Sequence, residues 1–255
     1  IVLYLGGWWL WAAALIVTLI AIYEFCKGWE NMGVHPSAPI CYAATLLLFG
    51  TYPFTISTDM PRQTMMFMGM WLFISVAAGM IYGWKINERG PYDSVATITT
   101  IVYIPFFVYH LVMIDMTDAR LFVWIVIIAA FASDIFAYFT GYFFGKHKMA
   151  PVLSPKKTIE GAIGGLVGSS LLSWVFGLVF MKDMAWVCLI LGLVGGLAGM
   201  AGDLTASAFK RRMGIKDYGN LIPGHGGIMD RFDSVIFVAP VVYYVICLVY
   251  GLWRF

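Results

Sequence analysis

The stretch from Ser207 to Asp233 concentrates residues that could do chemistry. Its 27 positions hold five cationic side chains (Lys210, Arg211, Arg212, Lys216, Arg231) and three carboxylates (Asp217, Asp230, Asp233). His225 and the glycines Gly219, Gly224, Gly226 and Gly227 complete it. Glycines permit positive φ and expose backbone N–H groups to an anion. Carboxylate oxygens suit Mg²⁺, which binds through one or two protein carboxylates plus water and substrate phosphate. Such a loop, hung between apolar segments, is built to hold something anionic together with a metal.

Three further clusters precede it. Asp203, Ser207 and Lys210 fall at i, i+4 and i+7, on one helix face. Asp134, Tyr138 and Gly141 repeat that spacing. Asp134 sits toward the end of an apolar span, where a carboxylate costs roughly 2.5–3.5 kcal/mol unless paired or wet. It is therefore a candidate site residue, with a structural ion pair as the bland alternative. In Ser154-Pro-Lys-Lys-Thr158-Ile-Glu160-Gly161, Ser154 is expected to cap a helix with Pro155 at its first position. Lys156 and Lys157 at that helix start would suit a phosphate, or merely anchor the chain beside a membrane. The following Gly161, Gly164, Gly165 and Gly168 are spaced for close helix packing.

The elements that position these residues lie in a bilayer. Apolar residues make up 61% of the 255, charged residues 12%, and the mean hydropathy is +0.84. A soluble domain is about 45–50% apolar and about 25% charged. Apolar stretches at about 8–26, 37–56, 64–84, 94–114, 120–140, 160–180, 185–203 and 234–254 each approach the roughly 20 residues that span about 30 Å of hydrocarbon. The expected fold is all-α and polytopic, with about eight full spans. Residues 1–7 read as the tail of a truncated ninth, with further residues upstream. The chain forms one membrane domain over 1–255. Residues 1–130 are mainly scaffold, and 131–255 hold the catalytic spans and polar loops.

Loop charges orient it. One side carries Lys27, Lys85, Arg89, Lys146, Lys148, Lys156, Lys157, Lys210, Arg211, Arg212, Lys216 and Arg231. The other carries only Arg62, Arg120, Lys182 and Arg254. The positive-inside rule makes the first side cytoplasmic. A cytoplasmic solute can therefore reach every polar cluster. Cys26, Cys41, Cys188 and Cys247 show no metal spacing and read as small packed hydrophobes.

The Ser207–Asp233 run resembles the signature of the phosphatidate cytidylyltransferases, or CDP-diacylglycerol synthases. Ser207, Phe209, Lys210-Arg211, Lys216-Asp217, His225-Gly226-Gly227-Ile228, Asp230-Arg231-Phe232 and Asp233 fall at the signature's spacings. The Ser154–Gly161 and Asp134–Lys146 elements look like the family's too, in the same order. Ile135 and Tyr142 depart from its usual pattern. The resemblance implies Mg²⁺-dependent transfer of a cytidylyl group from CTP to phosphatidate, giving CDP-diacylglycerol and pyrophosphate. K⁺ stands open as a second cation. Asp203 and Asp230 are the expected metal ligands, with Asp233 and Asp134 as second choices. Lys156, Lys157, Lys210, Arg211 and Arg231 would clamp phosphates. Ser207 would ligate metal or phosphate. Ser154, Thr158, Glu160, Asp134, Tyr138, Lys216, Asp217, His225, Gly226, Gly227, Arg231 and Asp233 are the expected substrate contacts. The partners implied are CTP, phosphatidate, the bilayer and a second copy in a homodimer, with no nucleic acid. The location implied is the cell (inner) membrane, with the site facing the cytoplasm. A CTP-dependent polyprenol or phytol kinase is the nearest alternative. A transporter fits less well, because the polar groups are confined to one half and one side.

Overall fold

A computed structural model describes residues 1–58, 61–221 and 226–250. His225 lies outside the described residues. The order of elements is α1 (Val2–Leu5), α2 (Gly7–Glu30), α3 (Ala38–Phe49), α4 (Tyr52–Thr58), α5 (Pro61–Tyr82), α6 (Pro91–Ile101), α7 (Phe107–Asp115), α8 (Phe122–Phe144), β1 (Lys148–Ala150), β2 (Ser154–Thr158), α9 (Ile159–Phe180), α10 (Ala185–Arg212) and α11 (Met229–Tyr250). The fold is that of an all-α, polytopic membrane protein. Among the described residues, six helical segments are long and apolar enough to cross a bilayer: Gly7–Glu30, Pro91–Asp115, Phe122–Phe144, Ile159–Phe180, Lys182–Arg212 and Met229–Val249.

Two expected spans take other forms. The 37–56 stretch is divided between α3 and α4. Pro53 has no N–H to bond back to Phe49, so one continuous helix cannot pass through it. Instead the chain turns at Gly50-Thr51, where the Thr51 hydroxyl donates to Leu48 O at 2.6 Å. At 12 residues, α3 rises only about 18 Å. The 64–84 stretch falls in α5 as far as Tyr82, and the apolar part of that helix, Met66–Tyr82, is shorter than a full span. At the start of the chain, α1 is separated from α2 by Gly6 and Gly7, with φ of 58° and 54°. Between α6 and α7 the helix loosens into a π turn, Val102–Phe106, around Pro105. The wider turn absorbs the hydrogen bond that proline cannot make.

The second half packs through small residues. A Cβ on Gly161 would lie 2.7 Å from Ala137 O, and one on Gly165 would lie 2.7 Å from Ser133 O. The α9 glycines thus set that helix directly against the α8 backbone, as their spacing predicts. On α10, a Cβ at Gly202 would lie 2.5 Å from Asp233 O of α11. These approaches bring α8, α9, α10 and α11 close enough for their polar residues to share one end of the bundle. All four cysteines are buried thiols.

Candidate active site

The loop from α8 to α9 folds back as an antiparallel hairpin, with Lys148 opposite Thr158 and Ala150 opposite Ser154. This corrects the expected helix start. Ser154 begins β2 rather than capping a helix, and Pro155 lies in the strand. Pro155 disfavours the helical conformation in the residue before it. The cap is Thr158, whose Oγ1 accepts the Gly161 N–H at 3.1 Å. Lys156 and Lys157 are therefore presented by a strand that leads into α9.

The hairpin roofs a cleft of about 640 Å³ between α8, α9 and α10. Asp134 and Tyr138 of α8, Ser154, Lys156, Lys157 and Thr158 of the hairpin, and Asp203 of α10 all line it. Lys157 Nζ forms an ion pair with Asp203 Oδ2. Ser207 Oγ donates to Asp203 Oδ1 at 3.4 Å, one turn along α10. Asp203, Asp134 and Asp233 stand near enough to repel one another. Ser234 bridges two of them: its Oγ lies 3.3 Å from Asp134 Oδ2 and 3.4 Å from Asp233 Oδ1, while its N–H donates to Asp233 Oδ1 at 2.8 Å.

Asp230 has a separate set of partners. Lys210 Nζ lies 2.7 Å from its Oδ1. Its Oδ2 accepts the N–H groups of Tyr218 at 2.8 Å and Gly227 at 3.0 Å. The structure thus groups Asp203 with Asp134 and Asp233, and ties Asp230 to the loop before α11. Burial pushes the Tyr218 phenol far above its usual range, so it stays protonated and donates to Ala206 O at 3.1 Å. Gly226, with φ of 82°, makes the left-handed turn into Gly227.

The remaining expected residues are dispersed. Both oxygens of Glu160 are engaged by the hairpin turn, with His147 Nδ1 at 2.6 Å and the Lys146 N–H at 3.1 Å. Arg211 Nε donates to Leu153 O at 3.3 Å, tying α10 to the hairpin. Lys216 and Arg231 are exposed. Asp217 lines a second cleft of about 420 Å³ with Glu24, Lys27 and Asn31. Two residues of the first half reach this region without any sequence expectation. Glu24 of α2 accepts backbone N–H groups at the start of α11. Tyr103, in the π turn, is packed between Phe25, Phe209 and Phe237 at ring-centroid distances of 5.5, 5.9 and 5.8 Å. Its buried hydroxyl has no hydrogen-bond partner among the described residues, and the charges acting on it are Asp233 and Asp203. Glu24 and Asp134 share one sequence signal, a carboxylate near the end of an apolar span.

Comparison with known proteins shows the family. The sequence profile of the cytidylyltransferase family matches residues 1–249. A phosphatidate cytidylyltransferase of Staphylococcus haemolyticus is 32% identical over 244 residues, covering 94% of this chain and 90% of its own length. One from Bacillus subtilis is 38% identical over 173 residues, covering 66% of this chain and 64% of its own. One from Staphylococcus aureus is 49% identical over 110 residues, 42% of each chain. With residues 1–249 matched to the profile and a relative 32% identical over 94% of its length, this chain belongs to the cytidylyltransferase family of nucleotidyltransferases.

Proposed function

We propose that this protein is a phosphatidate cytidylyltransferase, with its cleft open to the cytoplasm. The observation that carries the reading is the Lys157–Asp203 pair in a cleft also lined by Lys148, Lys156 and Asp134. Cations and carboxylates there face the same space, as a site for metal-bound polyphosphate requires. In the reaction a phosphatidate oxygen forms a bond to the α-phosphorus of CTP. The bond from that phosphorus to the bridging oxygen breaks, and pyrophosphate leaves with its electrons.

The donor set fits Mg²⁺. Asp134, Asp203, Asp230 and Asp233 offer only hard oxygens, and two lysines contact them directly. Among the described residues no three His, Cys, Asp or Glu side chains form a ready cage. That suits an ion completed by water and substrate phosphate. Asp203, which stands with Asp134 and Asp233, would hold it, with Asp230 joining by giving up its Lys210 contact, and when bound it would supply charge stabilisation for the phosphates and the leaving pyrophosphate. The chain's own part is alignment and neutralisation, which dominate this chemistry. Lys156 and Lys157 bind phosphate from the hairpin side and Lys210 from the α10 side. Ser207 steadies Asp203. A phosphatidate phosphate is already ionised, so no strong base is needed.

The test is purified protein in phospholipid nanodiscs with phosphatidate, Mg²⁺ and CTP labelled at the α or γ position. α-Label in CDP-diacylglycerol, with pyrophosphate released, is the expected result. γ-Label in the lipid would assign a kinase, and no transfer at all would overturn the reading.

A further inference from the structure

The start of α11 is held by a carboxylate more than two hundred residues away in sequence. Glu24 Oε1 accepts the Ile228 N–H at 3.1 Å, and Oε2 accepts the Met229 N–H at 2.8 Å. Both N–H groups belong to a helix start, where no intrahelical partner exists. A negative charge there also meets the positive end of the helix dipole. Glu24 is only 4% exposed, so both its charge and its two oxygens depend on this arrangement.

The glycines of the loop are shaped to Glu24. A Cβ on Gly219 or on Gly227 would collide with its carboxylate. Neither glycine has positive φ, so backbone conformation does not explain them. Space for the Glu24 carboxylate does. Asp230 is the next residue after the clasped Met229, and its Oδ2 accepts from Gly227 and Tyr218 in the same loop. The clasp and the Asp230 contacts therefore share one piece of backbone.

We propose that Glu24 is a positioning residue for Asp230: it clasps the N–H groups of Ile228 and Met229, and Gly219 and Gly227 are glycine to admit it. In its kinetic consequence the proposal rests on the cytidylyltransferase reading. The clasp itself can be tested without that reading.

Wild type, Glu24→Gln, Glu24→Ala, Gly227→Ala and the Glu24→Ala/Gly227→Ala double variant are compared in nanodiscs. Amide exchange is followed over residues 226–232, and kcat and KM for CTP are measured per folded molecule. Glu24→Gln keeps the size but loses the charge and one acceptor. It should speed exchange at Ile228 and Met229 and lower kcat about 10- to 100-fold, the usual cost of losing a group that orients a site ligand, with KM little changed. A purely structural role would lower the folded fraction and leave kcat intact. Gly227→Ala should be as damaging as Glu24→Ala, and the double variant no worse than Glu24→Ala alone, because the collision needs both groups. Unchanged exchange at 228 and 229 in Glu24→Gln, or additive effects in the double variant, would overturn the proposal. Faster exchange in a protein that never transfers cytidylyl groups would uphold the clasp and reject the activity.

Discussion

Lys157 and Asp203 neutralise each other at the mouth of the cleft, each with a side chain 25% exposed. Solvent screens such a pair, so its worth to folding is small. Its worth to catalysis is set by what replaces the partner when a phosphate arrives. Lys157→Met should therefore leave thermal unfolding nearly unchanged and lower kcat by about 10²–10³-fold, the range for loss of one charge-stabilising donor. Asp203→Asn should abolish turnover while the protein still folds. Turnover retained at more than a tenth of wild type in both would remove the pair from the site. Tyr103 poses the converse case. Its buried hydroxyl is unpartnered among the described residues, and such a group costs stability. Tyr103→Phe should hold or raise the melting temperature. If the hydroxyl donates toward the acidic cluster once substrate is bound, turnover should fall about tenfold, one hydrogen bond's worth. A variant with unchanged turnover would confine Tyr103 to packing.

At the level of elements, close helix approach decides the site. Gly202 faces the Asp233 carbonyl of α11 across a gap that a Cβ would narrow to 2.5 Å. In an exposed helix Gly→Ala gains about 1 kcal/mol from propensity. At Gly202 the overpacking term, about 1–3 kcal/mol, outweighs that gain and also moves α11, which carries Asp230 and Asp233. Gly202→Ala should lower both the melting temperature and activity. Gly69 of α5 has nothing near its Cβ position, so Gly69→Ala should be neutral or stabilising. A stabilised Gly202→Ala would show that the α10–α11 approach is not limiting. This scale also marks what the sequence made legible. Asp203, Ser207 and Lys210 share a face of α10 because helical periodicity is local. The small-residue spacing of α9 predicts its contact with α8 for the same reason. Ser154-Pro155 misleads because the pair suits a helix start equally well, and only pairing with β1 makes it a strand. Glu24 was not legible in its role. A lone carboxylate in an apolar span signals some function, but its partners lie across the fold, at a chain separation of 204 and 205 residues.

For the whole molecule, contacts gather the polar elements at one end before any membrane is considered. Arg211 binds the Leu153 carbonyl of the hairpin, and Glu24 binds the start of α11. Gly28 of α2 packs against Met213, so close that a Cβ would come within 2.7 Å of its sulfur. The ends of α2, α8, α10 and the starts of α9 and α11 thus share a side, and orienting one of them orients all. Twelve of the sixteen basic residues follow the same partition, which the positive-inside rule assigns to the cytoplasm. A nucleotide substrate requires that outcome, since CTP is a cytosolic solute. Single cysteines at Val152, which is 85% exposed in the hairpin turn, and at Asp183, between α9 and α10, test it. The native cysteines are buried and give a low background. A membrane-impermeant maleimide should label Asp183→Cys on intact spheroplasts and Val152→Cys only in inverted vesicles. The reverse pattern would place the cleft away from CTP and remove the nucleotide from the proposed reaction, whatever the purified protein does in detergent.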